Sequence, residues 1–266
     1  MANQRKAIFI TGGGSGIGRA TAKYFADRDW FVGLADISET GMKETGAMLP
    51  DGQFSTHMLD VTDRDQWARA VAEFSDASGG RMDMLFNNAG IGIGGQLEEM
   101  PNPSIDKQIA INFNGVVHGG QACFDLLKAT DDSCIVNTAS AAGIYGVSGL
   151  SIYSATKFAV RGLSESWDME FAPHGIKVRA LMPGFIDTPI LDTIAPGSNE
   201  SAREKVREAG LEFTPVEVAA ETVWNAPRSK KVHLTVGKTA KRLAFLARWM
   251  PSMLANRGKG LLEPSD

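Results

Sequence analysis

Cysteine is scarce: Cys123 and Cys134 are the only two in 266 residues, and both sit in apolar segments. Two isolated thiols make neither a disulfide framework nor a metal-ligand spacing, so core packing is their expected role. Histidine is nearly as rare. His57, His118, His174 and His233 fall on separate segments without ligand spacing, and no metal site is expected. An excess of positive charge is also missing. The formal net charge is −4 and the pI is near 5.7, which excludes the basic footprint of a nucleic-acid-binding chain. No apolar run approaches membrane-spanning length. The first one, Ala7-Ile8-Phe9-Ile10, breaks at once into glycines and is too short for the core of a signal peptide. A cytoplasmic protein is therefore expected. Acidic pairs such as Glu98-Glu99 and Asp131-Asp132 read as solvated loop ends.

The chain is 43% hydrophobic and 22% charged, an ordinary globular composition arranged as an alternation. Short apolar runs at 6–11, 30–36, 54–60, 82–89, 134–140, 176–183 and 230–236 read as strands. Several are almost continuously Ile, Val, Leu and Phe, the pattern of strands covered on both faces. Amphipathic stretches at 16–28, 38–48, 63–77, 103–129, 151–172 and 215–226 read as helices, with Pro173 and Gly175 closing the fifth. Strands alternating with helices predict an α/β fold, a parallel doubly wound, Rossmann-like sheet of about seven strands with helices on both faces. No linker, repeat or composition break divides residues 1–266, so one domain is expected. Residues 185–214, with Pro189, Pro196, Gly197 and Gly210 and many charges, read as an excursion beyond a strand end, where ligands bind in such sheets. Residues 237–266 form an extension with helical spacing.

The first strand runs into Thr11-Gly12-Gly13-Gly14-Ser15-Gly16-Ile17-Gly18 and then a helix. Glycines there let the backbone turn tightly and approach a ligand, while the helix N-terminus offers unpaired N–H groups to a pyrophosphate. A glycine cluster alone is a weak signal; between strand one and helix one it is stronger. The second strand ends at Asp36, about twenty residues on, where a carboxylate accepts hydrogen bonds from an adenosine ribose and repels a 2′-phosphate. Taken alone, Asp36 also reads as a helix cap or a solvated turn. With the glycine loop, and with no basic group at Ser15 or Ile37, NAD is expected over NADP.

Downstream, Tyr153-Ser154-Ala155-Thr156-Lys157 opens a helical stretch, and residues four apart stack on one helix face. With TGGGSGIG at 11–18, NNAG at 87–90, Asn112, Ser140 and Pro183-Gly184, in this order, the chain resembles the short-chain dehydrogenase/reductase family from about Lys6 to Val236. The resemblance implies an oxidoreductase in which Tyr153 is the general acid/base. Lys157, with the positive ring of oxidised nicotinamide, would lower the phenol's pKa and would also bind the nicotinamide ribose, Ser140 would hold the substrate oxygen, and Asn112 would join a proton relay. It further implies that Gly12, Ser15, Gly16, Ile17 and Gly18 hold phosphates, and that Asp60 and Val61 lie near adenine. Asn88, Ala89 and Gly90 would support the adenine ribose, while Pro183, Gly184, Ile186 and Thr188 cover the nicotinamide. For Asn87 a structural role is expected. Asn112 also reads as a buried amide satisfying a helix irregularity.

By position, the substrate pocket is expected to include Ala142, Ile144, Val147, Leu150, Ile91, Phe185 and Leu191 beside Ser140 and Tyr153. These are mostly apolar and uncharged, which suggests a hydrophobic secondary alcohol or its ketone. Two other readings stand beside an NAD-dependent dehydrogenase: an NADPH-type 3-oxoacyl reductase, and a nicotinamide-binding sensor without turnover. A homodimer through the helices at 103–129 and 151–172, or a homotetramer, is implied by the resemblance. The tail departs from the family's glycine-rich ending. Its Leu243, Leu246, Ala247 and Met250, interspersed with Lys241, Arg242 and Arg248, read as a cover for the domain's core, a helix over the cleft or a dimer partner, or an interfacial membrane helix, the last not favoured.

Overall fold

Successive residues of a strand face opposite sides of its sheet, and in the computed structural model, which describes residues 5–192, 201–208 and 210–254, both sides of the central strands are buried. The elements run β1 (Ala7–Thr11), α1 (Gly16–Ala26), β2 (Phe31–Asp36), α2 (Glu39–Gly46), β3 (Phe54–Met58), α3 (Arg64–Ser78), β4 (Met84–Asn87), α4 (Asn102–Ile109), α5 (Gly115–Lys128), β5 (Cys134–Thr138), α6 (Ser151–Phe171), β6 (Lys177–Pro183), α7 (Ala202–Glu208), α8 (Val216–Asn225), β7 (His233–Val236) and α9 (Gly237–Trp249). The strands form one parallel sheet in the order β3-β2-β1-β4-β5-β6-β7. This is the Rossmann-like α/β architecture that the alternation predicts.

The core divides by face. Ala7 and Phe9 of β1 pack with Trp67 and Phe74 of α3, Val116 and Cys123 of α5, and Val160 and Trp167 of α6. Ile8 and Ile10 pack on the other side with Ala22 and Phe25 of α1, Met42 of α2 and Val223 of α8, together with Cys134. Both cysteines are free and buried, as expected.

The chain leaves β1 toward β2 and β3, then returns to place β4 on the other flank of β1. Such a reversal opens a crevice at the carboxyl ends of the two neighbouring strands. Residues 12–18 and 88–90 lie directly beyond those ends.

Element ends differ from the sequence reading in instructive ways. The strand expected at 82–89 stops at Asn87, because Asn88 and Ala89 give their N–H groups to Thr11 Oγ1 (2.9 and 3.0 Å) instead of a ladder. The expected helix at 103–129 is three segments: α4, a π-helical turn at Ala110–Asn114, and α5. Single π-turns in helices collect at functional sites, and this one carries Asn112. Within 185–214, a parallel bridge between Ile186 and Thr214 closes the neck. The excursion holds a 3₁₀ turn at Pro189–Asp192 and α7, while 193–200 fall outside the described residues.

Candidate active site

The glycine loop is built by close approach. A Cβ at Gly18 would stand 2.1 Å from Gly12 O, so only glycine fits there, and Gly12 itself has φ +67°. Gly13 N–H bonds Ala35 O (3.1 Å), and Asn88 Nδ2 bonds Thr11 O (3.0 Å) and Gly12 O (3.4 Å), fixing the loop to β2 and β4. Ser15 precedes α1 without capping it through its side chain. Among the described residues no side chain accepts from the first-turn N–H groups at Gly16, Ile17 and Gly18, which lie beyond the carboxyl end of β1, the arrangement that binds phosphate.

At the end of β2, Asp36 is held by two backbone donors: Gly14 N–H to Oδ2 (2.9 Å) and Ser38 N–H to Oδ1 (2.9 Å). Each carboxylate oxygen keeps lone-pair capacity for a hydroxyl. Ser38, not Asp36, caps α2, accepting from Gly41 N–H (3.1 Å). The basic side chain at the loop, Arg19, is committed to Gly14 O (2.5 Å), Glu44 (2.7 Å) and Thr45 Oγ1 (3.0 Å). Asp60 is likewise engaged, accepting from the backbone and hydroxyl of Thr62 (2.9 and 2.7 Å). A shallow pocket between the sheet and α5 is lined by Val61 and Ala89, and also by Thr11, Asn87, Ile111, Gly115 and Val116. Of these, Ile111 carries no local motif that would have identified it. As expected, Asn87 serves the core, its amide donating to Asn137 Oδ1 (2.9 Å). The residues present fit a dinucleotide.

At the end of β5, Ser140 accepts from Ala142 N–H (3.1 Å) and caps the short 3₁₀ turn Ala141–Gly143. One helix face of α6 brings Tyr153 and Lys157 to it. The Lys157 ammonium donates to Thr138 O (2.8 Å) and stands 5.6 Å from the Tyr153 ring centroid. A Cβ at Gly90 would meet Asn112 Oδ1 at 3.2 Å and Lys157 Nζ at 3.5 Å, so backbone, amide and ammonium converge. Asn112 is fully buried. It accepts from Ile91 N–H (2.8 Å) and donates to Ile91 O (2.9 Å) and Thr156 Oγ1 (3.4 Å). Thr156, inside the YSATK stretch, donates to Tyr153 O (2.7 Å) and so links Asn112 to the tyrosine's own turn.

Burial dominates the titration of the pair. It pushes the Tyr153 phenol above its ordinary value, opposed by a hydrogen bond with Ser140, and brings the Lys157 ammonium down to about 8. In the protein without cofactor, Lys157 alone does not bring the phenol below its ordinary value. Desolvation disfavours both ions, and the ammonium is bonded to Thr138 O. The Thr138 hydroxyl beside it is buried and has no partner among the described residues.

Beyond β6, Gly184 N–H bonds Val236 O (3.0 Å). The Thr188 methyl would lie 3.2 Å from a Cβ at Gly16, directly over the glycine loop. Arg203 of α7 grips this segment through Asp187, Asp192 (2.5 Å) and Thr188 O (3.1 Å). No motif marks Arg203, because its role exists only once the excursion folds back. Arg203→Ala is expected to raise the cofactor KM about three- to tenfold with a smaller change in kcat, measured by steady-state kinetics, since the loss falls on a partly exposed network.

Ile144 packs in the core beneath α5 and α6, and Ile186 in the core beneath α1 and α8, so their side chains are occupied by packing. Pro183 and Ala142 are buried, Phe185 is half-buried and Val147 is exposed. Among the described residues no cluster of His, Cys, Asp and Glu could hold a metal ion.

The family model described as "short chain dehydrogenase" matches residues 6–199. Levodione reductase of Leifsonia aquatica is 34% identical over 216 residues, 79% of this chain and 79% of that protein. The 3-oxoacyl-[acyl-carrier-protein] reductase FabG of Thermotoga maritima is 36% identical over 223 residues, 82% of this chain and 89% of that protein. Among solved structures, a short chain dehydrogenase/reductase from Burkholderia phymatum in complex with NAD is 25% identical, with a TM-score of 0.81 over 100% of this chain and 98% of that one. A short chain dehydrogenase from Burkholderia cenocepacia in complex with NADP shares the fold, with a TM-score of 0.79 at 22% identity over 99% and 100% of the two chains. Sheet order, glycine loop and the length of the matched segment lead to one conclusion: this chain belongs to the short-chain dehydrogenase family of oxidoreductases.

Proposed function

We propose that the chain is an NAD-dependent dehydrogenase that interconverts a hydrophobic secondary alcohol and its ketone, with Tyr153 as general acid/base. The observation that carries this reading is the meeting of Ser140, Tyr153 and Lys157 at the carboxyl end of β5, across Gly90 from the glycine loop. A bound nicotinamide cofactor supplies the hydride acceptor for oxidation, or the donor for reduction. The first-turn N–H groups of α1 bind its pyrophosphate, and Asp36 accepts from its adenosine ribose. Ser140 donates to the substrate oxygen and stabilises charge developing there. Tyr153 takes the alcohol proton, or returns it to the ketone. As the phenol loses its proton, the buried Lys157 ammonium offsets the desolvation that otherwise opposes a phenolate. Pocket residues Ala142, Phe185, Ile91 and Leu191 bring no charge, which suits an apolar substrate.

NAD over NADP rests on Asp36 and on Arg19, whose guanidinium is already shared among Gly14, Glu44 and Thr45. Asp36→Ala is expected to reduce the NAD-to-NADP preference by about tenfold or more; an unchanged ratio in paired kinetics would assign discrimination to another residue. The likeness to a 3-oxoacyl reductase favours a second reading, reduction of the 3-oxo group of an acyl thioester to a hydroxyl with NADPH. One assay separates these readings: NADH formation from NAD with a panel of hydrophobic secondary alcohols at mildly alkaline pH, run beside NADPH oxidation with a 3-oxoacyl thioester. Turnover only in the second arm overturns the proposal, and cofactor binding without turnover in either arm points to a sensor.

A further inference from the structure

The inner face of α9 completes the core: Ala240 is fully buried, and Leu243, Ala244 and Ala247 pack against the cluster that holds α5 and α6. Its outer face is left uncovered. At 100° per residue, Lys238, Arg242, Phe245 and Trp249 form one outward stripe, with Lys241 and Arg248 along its flank. Phe245 is 58% exposed and Trp249 65%, and the stripe continues into exposed Met250 and Met253. From 237 to 254 there are four cations and no carboxylate. The chain's net charge of −4 becomes −8 once those four cations are set aside, so positive charge is concentrated on this helix. The helix also lies beyond residue 199, where the match to the family model ends.

We infer that the outer face of α9 docks on the surface of a bilayer containing anionic lipid. Exposed aromatics with a cationic flank, on a helix that is otherwise packed to its domain, have the chemistry of interfacial binding. Among the described residues no helix is long and apolar enough to cross a membrane, so α9 lies on the surface rather than through it. A second copy of the chain suits this face less well. An isologous pairing of α9 on itself would bring two sets of the same four cations into one seam, and among the described residues Lys238 alone of the four has a carboxylate partner, Glu212 at 3.1 Å. Because α9 packs against the turn that begins after Ser140, docking sets the bilayer beside Ala142 and the candidate pocket. The inference stands on the helix alone and does not require any particular cofactor or substrate.

The test is sedimentation of the full chain with phosphatidylcholine vesicles, with and without phosphatidylglycerol. Binding is expected only with the anionic lipid, weakening as salt is raised. The double variants Phe245→Ser/Trp249→Ser and Lys241→Glu/Arg242→Glu are each expected to bind about tenfold more weakly or worse. Unfolding midpoints and nicotinamide cofactor binding, followed by fluorescence, are expected to match the parent protein. No sedimentation with anionic vesicles at low salt overturns the inference, as does binding that both variants retain. Variants that instead turn an oligomer into a monomer in sedimentation velocity assign the face to a second copy.

Discussion

Tyr153→Phe is expected to lower kcat/KM by about 10³-fold, within the range for loss of a positioned proton donor and acceptor. Nicotinamide cofactor binding, read by fluorescence titration, is expected to change by no more than about twofold, because the ring and its packing stay in place. The reason is local. The phenol is the one group at the site that Ser140 touches from β5 and Lys157 flanks from the next turn of α6. Its raised pKa sets the pH profile as well. Oxidation uses the phenolate, so its rate is expected to climb with pH through the alkaline range, while reduction, which uses the phenol, is expected to hold level until the pH nears the phenol's raised pKa. A variant that retained most of the activity would move the acid/base role to another group. A flat pH profile would show that proton transfer is not felt in the rate.

The second large effect couples activity to stability. Lys157 is 3% exposed, and burial holds its ammonium at about 8 against an ordinary value of 10.5. Below about pH 8 the lysine is protonated in both the folded and the unfolded chain, and folding bears the whole desolvation penalty, about 3 kcal/mol for a shift of this size. Between about 8 and 10.5 the unfolded chain binds more protons than the folded one, so stability rises with pH until the penalty is gone. Lys157→Met removes the charge and keeps most of the packing, but leaves Thr138 O without its donor, a loss of about 1 kcal/mol. The variant is therefore expected to be more stable than the parent by about 1–3 kcal/mol at pH 7, with a difference that shrinks as pH rises toward 10.5. Urea unfolding at several pH values measures this, and activity is expected to fall by about 10²-fold or more. Equal stability at all pH values would show that the ammonium is hydrated in place.

Much of this was legible in the sequence because it is local. The seven strands were marked by apolar runs that must be covered on both faces, and the glycine loop by its place between β1 and α1. Tyr153 and Lys157 share a face because they are one turn apart on a helix. Other features depended on tertiary closure. The π-turn at Ala110–Asn114 was invisible because the apolar spacing runs unbroken through it. Ile144 and Ile186 flank motif residues in sequence, yet the chain curves there and packs them in the cores. The ties of Thr11 to Asn88 and Ala89 join residues 77 and 78 positions apart, and Arg203 reaches back 15 and 16 positions to Thr188 and Asp187. No short-range pattern encodes such contacts. The raised phenol of the cofactor-free protein is hidden for a related reason: helical spacing reports the neighbouring charge but not the water that folding removes.

The strand order has a consequence for how this chain can change. Asp36 ends β2 and Ser140 follows β5, and two strands, β1 and β4, stand between them. At about 4.8 Å per strand, three steps separate the two ends by roughly 14 Å. Free energies of substitutions that far apart, without shared partners, add rather than interact. Under the proposed function, preference for the nucleotide and preference for the substrate are thus expected to be independent traits, each open to redesign without retuning the other.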